Sequence, residues 1–247
     1  MIILWPIAGE GKRFSKKGYE ELKPFIPINK TPMIEYAIKS LGIPGDHYII
    51  ANKLNQRHKE ILHEIKDKYK LNIEIIEINK TTRGQAETSS LALEILQLDM
   101  KDKLVITNCD QFTPWDYKKF LNFIDIPELS AAVTTYKHKK FKLNEKSAYS
   151  HVEIDNQNNA IRFKEKISIS HHSLNGIYYW KEADYFYRSA QSLINEMNSN
   201  EEMFLSHTFN FMIKENHKIK VYPMSQEEFY SLGTPEDIKK NMNNLKL

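Results

Sequence analysis

The sequence predicts an α/β fold in which a mostly parallel, mixed sheet is flanked by helices. Three observations support this prediction. Strand-like and helix-like segments alternate through the first half of the chain, the strand-like segments are short apolar runs, and the helix-like segments carry apolar residues on one face. In the second half, several strand-like segments follow one another closely. We therefore expect one continuous domain over residues 1–247, with a small β region inserted near its middle.

The first half alternates between the two kinds of element. The strand-like segments are Ile2–Ile7, His47–Ala51, Leu71–Ile78 and Leu104–Thr107. The helix-like segments are Met33–Leu41, Asn55–Tyr69 and Gln85–Leu98. Two further pairs, Thr31-Pro32 and Thr113-Pro114, place an N-cap residue before a proline at the first helical position. We expect a helix to begin at each pair.

The second half is richer in strands. The strand-like segments are Ala131–Tyr136, Ser150–Ile154, Ala160–Lys166, Asn175–Trp180 and Lys218–Tyr222. The helix-like segments are Ala183–Met197, Phe204–Glu215 and a C-terminal helix that opens at Thr234-Pro235. Sheets of this class bind ligands at the carboxyl ends of their strands, where the strand order reverses. We expect the functional site at that edge.

Composition excludes several classes of protein. Thirty-five Lys and Arg residues against 32 Asp and Glu give a net charge of +3, which is too small a surplus to indicate a nucleic-acid or membrane partner. Cys109 is the one cysteine, so there is no internal disulfide framework and no multi-cysteine zinc site. A reducing cytoplasm is the expected location.

Two segments invite other interpretations. The apolar start, Met1–Ala8, resembles part of a signal peptide, but Lys12 and Arg13 follow at once, so we interpret it as the first strand. The basic run Lys137–Lys142 suits a solvated loop after a strand, with contact to nucleic acid as the alternative.

The loop after the first strand carries the clearest chemistry. It reads Ala8-Gly9-Glu10-Gly11-Lys12-Arg13-Phe14. Its glycines let the backbone pass close to a ligand, and its N–H groups suit phosphate. Arg13 adds a fork of donors for phosphate oxygens, and Lys23-Pro24 adds a second cation. Phe14 stands where a dinucleotide fingerprint has its third glycine, so these glycines taken alone fit a phosphate loop or a plain turn.

The longer pattern is more specific. It combines the loop above with Lys23-Pro24-Phe25-Ile26-Pro27-Ile28 and Pro32-Met33-Ile34. This string resembles the signature of the sugar-phosphate nucleotidylyltransferases, and Gly18-Tyr19 resembles a subgroup linked to bacterial capsule and lipopolysaccharide genes. Later matches are Gly84-Gln85-Ala86-Glu87-Thr88, Asn108-Cys109-Asp110-Gln111, Glu165-Lys166, Asn175-Gly176-Ile177-Tyr178 and Gly233-Thr234-Pro235-Glu236-Asp237.

The resemblance implies a Rossmann-like nucleotidyltransferase fold and a reaction. In this family an acceptor phosphate attacks the α-phosphorus of a nucleoside triphosphate and pyrophosphate leaves, with charge neutralisation and in-line positioning as the protein's task. By analogy, Arg13 would hold the β- and γ-phosphates and Lys23 the α-phosphate or the attacking phosphate. The implied nucleotide-binding residues are Ala8, Gly9, Glu10, Gly11, Gly84, Glu87 and Asn108. The implied acceptor-binding residues are Glu165, Lys166, Asn175 and Gly176.

The resemblance also implies a metal. Asp110 follows a buried strand and would bind Mg²⁺. The alternative is a purely structural role, as an aspartate that caps a helix or stabilises a turn. Many members have a second metal-binding aspartate just before the final Gly-Thr, where this chain has Ser231. A second carboxylate would come from Asp237 or from elsewhere, and Asp237 equally suits the first turn of a helix. Cys109 is expected to be a small buried side chain.

The identity of the nucleotide base and of the acceptor substrate is predicted from fewer residues. Glu87 aligns with a glutamine that reads the base in related enzymes, and an acceptor-only carboxylate suits an exocyclic amine such as that of cytosine. This favours CTP and a phosphorylated sugar or polyol, which would give a CDP-activated precursor for surface polysaccharide. The alternatives are dTTP, UTP or GTP, a solvent-facing Glu87, or a non-catalytic nucleotide-sugar-binding protein suggested by Ser231.

Aromatic residues predict the acceptor pocket less clearly. They are Tyr136, Tyr149, Tyr178, Tyr179 and Trp180. Aromatic faces beside charged groups suit sugars, but aromatics that alternate on strands usually pack a core. Members of the family are often dimers or tetramers, so the oligomeric state stays open.

Overall fold

The computed structural model describes residues 1–9, 11–137, 141–198 and 200–246. Glu10 and residues 138–140 of the predicted basic loop lie outside the described residues. In the ranges described, no helix has both the length and the apolar character needed to cross a membrane.

The strands lie in two groups along the chain. The first group is β1 (Ile2–Pro6), β2 (Pro27–Ile28), β3 (Thr31–Pro32), β4 (Asp46–Ala51), β5 (Asn72–Glu77), β6 (Leu104–Thr107) and β7 (Gln111–Phe112). The second group is β8 (Ala131–Lys137), β9 (Lys146–Ile154), β10 (Ala160–Ile167), β11 (His172–Trp180), β12 (Ile219–Met224) and β13 (Tyr230–Ser231).

The α-helices connect the strands, mostly in the predicted places. They are α1 (Lys12–Ser15), α2 (Met33–Leu41), α3 (Gln56–Tyr69), α4 (Gln85–Leu96), α5 (Tyr117–Ile124), α6 (Ala183–Glu196), α7 (Leu205–Lys214) and α8 (Pro235–Asn241). Short 3-10 turns cover Lys23–Phe25, Gln226–Glu228 and Met242–Asn244.

The central sheet has the order β10-β9-β11-β6-β1-β4-β5, and β8 pairs with both β11 and β12. Strands β5, β4, β1 and β6 are parallel, whereas β11 runs antiparallel to β6, β8 and β9. The chain adds β4 and β5 on one side of β1 and then places β6 on the other side, so the strand order reverses at β1 and β6. Ligand sites of α/β sheets lie at such a point, beyond the carboxyl ends of the strands.

Helices cover both faces of this sheet, as predicted. Alternate residues of β1 enter different cores: Ile2 and Leu4 pack with α4, α6 and α7, whereas Ile3 and Trp5 pack with α2, α3 and α5. Near-continuous apolar strands are what a sheet buried on both faces requires. The predicted α/β fold with a mixed sheet between helices is confirmed.

One predicted N-cap and one predicted helix start are wrong, although α2 covers Met33–Leu41 as predicted. Thr31-Pro32 forms β3, which pairs with β2, and α2 begins at Met33 with no side-chain cap. Thr113-Pro114 does not open α5, because Asp116 is the N-cap residue and accepts a hydrogen bond from Lys118 N at 3.2 Å. Thr234-Pro235 does open α8, and Thr234 Oγ1 accepts a hydrogen bond from Asp237 N at 3.0 Å.

The predicted inserted β region is the hairpin of β9 and β10. It is continuous with the central sheet, because His151 of β9 pairs with Ser173 of β11. Asp155 closes its turn by accepting hydrogen bonds from the backbone N–H groups of Gln157 and Asn159, both at 2.8 Å. Asx side chains of this kind stabilise turns.

Candidate functional site

A cleft opens where β6 ends and β9 begins along the same edge of β11. β11 pairs with β6 through Ile177–Trp180 and with β9 at Ser173, so the residues between these pairings face a gap. The cleft is lined by Arg13, Gln85, Asn108, Asp110, Gln111, Ala148, Tyr149, Ser150, Glu165, Leu174, Asn175, Gly176, Tyr178, Phe204, Leu205, Phe229, Ser231, Gly233, Thr234 and Asp237. It therefore lies at the predicted edge of the sheet.

Gly176 shapes the wall of the cleft. Its φ is +94°, and a Cβ atom there would lie 2.3 Å from Nδ2 of Asn108, so the position requires glycine. The close approach lets Asn108 N donate to the carbonyl oxygen of Gly176 at 3.0 Å. Asn108 Oδ1 in turn accepts from Gln85 Nε2 at 2.9 Å. The structure brings Asn108, predicted to bind nucleotide, into contact with Gly176, predicted to bind the acceptor.

Lys23 and Asp110 form an ion pair beside the cleft. Lys23 Nζ lies 2.5 Å from Asp110 Oδ2, and each side chain is about one-fifth exposed. Burial by itself lowers the pKa of Lys23. The negative charge and the hydrogen bond of Asp110 raise it by more than that, so the pKa lies above its ordinary value. Lys23 therefore stays a cation at neutral pH.

The glycine-containing loop brings Arg13 to the same cleft. Gly11 packs against Lys23, since a Cβ atom at Gly11 would lie 3.2 Å from Cβ of Lys23. Arg13 lies in the short helix α1 and lines the cleft. Ala8 and Gly9 line a second cleft with Pro24 and do not line the first.

Glu165 is the acidic group of the acceptor side. It is half-buried, and its Oε2 accepts hydrogen bonds from the hydroxyl groups of Ser150 and Ser206. Burial raises the pKa of Glu165, although the two hydroxyl groups and the charge of Lys166 oppose this. A carboxylate held in this way has a set orientation toward the cleft.

Lys166 turns away from Glu165. Its φ is +57°, and the register of the β9–β10 pairing shifts between Glu165 and Ile167. Its Nζ pairs with Glu202 Oε2 at 3.0 Å and lies 4.3 Å from the centre of the Phe204 ring, which lines the cleft. The predicted phosphate clamp therefore lies beside the cleft and is paired with a carboxylate.

Asn175 uses its side chain within the sheet. Its Oδ1 accepts from Thr134 Oγ1, and its Nδ2 lies 2.8 Å from Sδ of Met224. The residue lines the cleft, but these two contacts occupy its amide group.

Gly84 and Glu87 lie at the start of α4. Glu87 Oε2 accepts from the backbone N–H of Arg83 at 2.6 Å and from Arg83 Nε at 3.3 Å. Burial raises the pKa of Glu87, but these bonds and the charges of Arg83 and Lys80 bring it below its ordinary value. Glu87 does not line the cleft, whereas its neighbour Gln85 does. The carboxylate is thus an ionised acceptor that is shared with Arg83.

Cys109 is half-buried, whereas a buried side chain was predicted. Burial raises its pKa to about 12, so it is protonated at neutral pH and is a poor nucleophile.

The side chains that could bind a metal cation in this cleft offer oxygen atoms as ligands. Asp110, Asp237 and Ser231 all line the cleft, and a Cβ atom at Gly233 would lie within 4 Å of an oxygen of each. Mg²⁺ prefers oxygen ligands and keeps several waters, so one or two carboxylates suit it. In the part of the chain that the structure describes, no group of three or more His, Cys, Asp or Glu residues is placed to hold a metal. This donor set fits the expected Mg²⁺.

Sequence reasoning missed several cleft residues. Gln85, Ser150, Phe204 and Phe229 line the cleft, and Ser206 holds Glu165. Gln85 directly follows Gly84, so its position in the same motif could have identified it as a cleft residue. The others come from distant segments that only tertiary pairing brings to the site.

The chain matches known proteins along almost its full length. The family model described as nucleotidyl transferase matches residues 2–246. Three solved structures share the fold. A nucleoside-diphosphate-sugar pyrophosphorylase from Vibrio cholerae RC9 has a TM-score of 0.80 at 18% identity, and the match covers 98% of this chain and 100% of that one.

The other two structures are similar. A protein from Bacillus anthracis assigned as a glucose-1-phosphate thymidylyltransferase, in complex with a sucrose, has a TM-score of 0.75 at 18% identity, covering 98% of this chain and 93% of that one. The inositol-1-phosphate CTP transferase from T. maritima has a TM-score of 0.75 at 15% identity, and the match covers 99% of this chain and 95% of that one. No curated protein sequence matches the chain significantly.

Proposed function

Because the chain belongs to the nucleotidyl transferase family, we propose that it transfers CMP from CTP to a phosphorylated sugar or polyol and releases pyrophosphate. The product would be a CDP-activated precursor for surface polysaccharide. The observation that carries the proposal is that Arg13, Asp110 and Glu165 line one cleft, with Lys23 ion-paired to Asp110 beside it. A single free cysteine, Cys109, suits the reducing cytoplasm in which we place the reaction.

The chemistry is a single displacement. An oxygen of the acceptor phosphate forms a bond to the α-phosphorus, the bond to the bridging oxygen of the β-phosphate breaks, and pyrophosphate leaves with that electron pair. Arg13 neutralises charge on the leaving pyrophosphate, and Lys23 neutralises the α-phosphate or the attacking phosphate. Fixed cations of this kind lower the barrier because they need no rearrangement during the reaction.

Other cleft residues position the substrates. Glu165 accepts hydrogen bonds from acceptor hydroxyl groups, and Gly176 lets the acceptor approach the backbone. Mg²⁺ bound at Asp110 would supply charge neutralisation to the triphosphate. Lys166, now paired with Glu202, reaches an acceptor phosphate if that exposed pair opens. Exposed ion pairs cost little to open.

The choice of CTP rests on Glu87. Its Oε2 is occupied by Arg83, but Oε1 has longer contacts, 3.5 Å to Arg83 Nη2 and 3.9 Å to Lys80 Nζ. Oε1 therefore keeps capacity to accept from an exocyclic amine such as that of cytosine. The similarity in fold to an inositol-1-phosphate CTP transferase is in line with this choice.

A pyrophosphate-release assay tests the proposal. Four nucleoside triphosphates are crossed with sugar and polyol phosphates, with Mg²⁺ and with EDTA. We expect turnover with CTP and one acceptor, lost in EDTA, and weaker discrimination for CTP in Glu87→Gln. An unchanged nucleotide ranking in that variant contradicts the role of Glu87. CTP binding in a thermal-shift titration without turnover in any pair favours the non-catalytic binding protein.

A further inference from the structure

Ser231 lies against the metal site because two short strands pair there. β13 pairs antiparallel with β7, with Ser231 opposite Gln111, and Leu232 N donates to the carbonyl oxygen of Asp110 at 2.8 Å. The segment that follows β13 is thereby fixed beside Asp110. It leads directly into α8, whose first turn contains Asp237.

The carboxylate of Asp237 is oriented by two hydroxyl groups. Ser231 Oγ donates to Asp237 Oδ2 at 3.2 Å, and Thr234 Oγ1 donates to the same oxygen at 2.8 Å. Within the ranges that the structure describes, Oδ1 of Asp237 accepts no hydrogen bond. One oxygen therefore fixes the side chain, and the other is available.

Gly233 leaves a space between these groups. A Cβ atom there would lie 3.1 Å from Asp110 Oδ2, 3.5 Å from Ser231 Oγ and 3.9 Å from Asp237 Oδ2. Asp110 Oδ2 and Asp237 Oδ2 are thus no more than about 7 Å apart. The carboxylate that carries the available Oδ1 therefore lies within reach of one Mg²⁺ and one of its waters, at Mg–O distances of about 2.1 Å. Asp110 already shares its charge with Lys23, so a dication there gains from a second carboxylate.

We propose that Asp237, oriented by Ser231 and Thr234, is the second carboxylate of the Mg²⁺ site and binds the ion directly or through one of its waters. The assignment rests on the proposed function for the identity of the metal. Ser231 is a positioning residue: it occupies the place of the aspartate found in many members, and its short hydroxyl group donates to Asp237 Oδ2 and so orients that carboxylate.

Direct metal binding tests the assignment without relying on turnover. Mn²⁺ binding is measured by electron paramagnetic resonance, and Mg²⁺ binding by calorimetry, on the full chain with CTP present. We expect Asp237→Asn to weaken Mn²⁺ binding tenfold or more. Glu236→Gln is the matched control, because Glu236 lies in the same helical turn but is exposed and pairs with Lys17; its affinity should stay within twofold of wild type.

A compensating variant makes the test specific. Ser231→Asp restores an aspartate at the position used by other members, so the double variant Ser231→Asp/Asp237→Asn should recover Mn²⁺ affinity to within threefold of wild type. Asp237→Asn keeps the backbone N–H that Thr234 caps, so the fold should survive, as a retained melting transition would show. If it does not, Ser231→Ala, which removes one of the two donors to Asp237, should weaken binding by a smaller factor.

The outcomes separate this assignment from the proposed function. Unchanged Mn²⁺ affinity in Asp237→Asn, or no Mn²⁺ binding by the wild type, overturns the assignment even if CTP turnover is found. A tenfold loss in Asp237→Asn with recovery in the double variant supports it, even if no acceptor is turned over. Failure of every nucleotide–acceptor pair bears on the proposed function alone.

Discussion

Lys23 is held as a cation beside the cleft by one carboxylate, that of Asp110. Burial alone would lower its pKa, and the adjacent Asp110 more than offsets this. The same aspartate is the proposed ligand of Mg²⁺, so the ammonium group of Lys23 and the metal ion would both interact with the carboxylate of Asp110. A partly buried pair of this kind keeps both side chains in place before the substrate arrives.

Arg13 gives the most direct test at the level of a single residue. It lines the cleft from an exposed, four-residue helix, so its removal leaves the core intact. We expect Arg13→Ala to lower kcat by 100-fold or more, since one charge-stabilising donor contributes roughly 3 kcal/mol in the transition state. Lys16→Ala, an exposed cation at the end of the same helix, is the control and should leave kcat unchanged. A fall of less than threefold for Arg13→Ala would refute this role.

A local pattern identifies single residues, but it does not give their partners. Gly176 was expected to let the acceptor approach the backbone; its φ of +94° and its contact with Asn108 require glycine there, and the approach of the acceptor stays a prediction. Glu87 and Lys166 were expected to face substrate, yet each is paired with a charged neighbour, Arg83 and Glu202. The path of the backbone decides which charged side chains come close to each other. A short sequence motif does not contain that path.

At the level of elements, α4 depends on a segment from the far end of the chain. Met203 N donates to Arg83 O at 2.8 Å, and Ala86 N donates to Met203 O at 3.1 Å. Residues 202–204 therefore dock on the start of α4 and place Phe204 in the cleft wall. Gly84 makes this possible, because its φ of +150° and ψ of −174° belong to a region that is essentially restricted to glycine.

Gly84→Ala tests this docking. A Cβ atom at Gly84 would lie 2.5 Å from the carbonyl oxygen of Met203, so either the backbone or the docked segment must move. We expect the free energy of unfolding, measured by urea denaturation, to fall by about 2 kcal/mol. Gly9→Ala is the matched control, because its Cβ atom meets nothing within 4 Å and stability should change by less than about 0.5 kcal/mol. Equal stability of the two variants would contradict this account of the docking.

At the scale of the whole molecule, a buried, neutral histidine lies within the main sheet. His47 of β4 accepts a hydrogen bond from Trp5 Nε1 of β1 at 3.1 Å, and it is 2% exposed. Burial lowers its pKa to about 4, although Asp46 opposes this. Because the two residues lie on adjacent central strands, protonation of His47 acts on the stability of the whole fold.

This predicts an acid-side loss of stability. The unfolded chain binds a proton at His47 below pH 6.5 and the folded protein only near pH 4, so stability is full above pH 6.5 and falls as the pH decreases toward 4. Between pH 6.5 and 4.5 the wild type should lose about 2.5 kcal/mol more than His47→Gln, by denaturant titration at each pH. The exposed His63→Gln should keep the wild-type slope, and parallel slopes for all three proteins would exclude His47 as the cause.

The sequence by itself determined the α/β class, the strands of the central sheet, most of the helices, and the positions of Arg13, Lys23 and Asp110 in the loops that follow strands. These follow from hydrophobic periodicity and from short motifs, which act over a few residues. Only the tertiary structure decided that β13 pairs with β7, that residues 202–204 dock on α4, and that Asp237 lies near Asp110. Those contacts join segments far apart in the chain, and their geometry depends on how the whole sheet twists and packs, which no local pattern records.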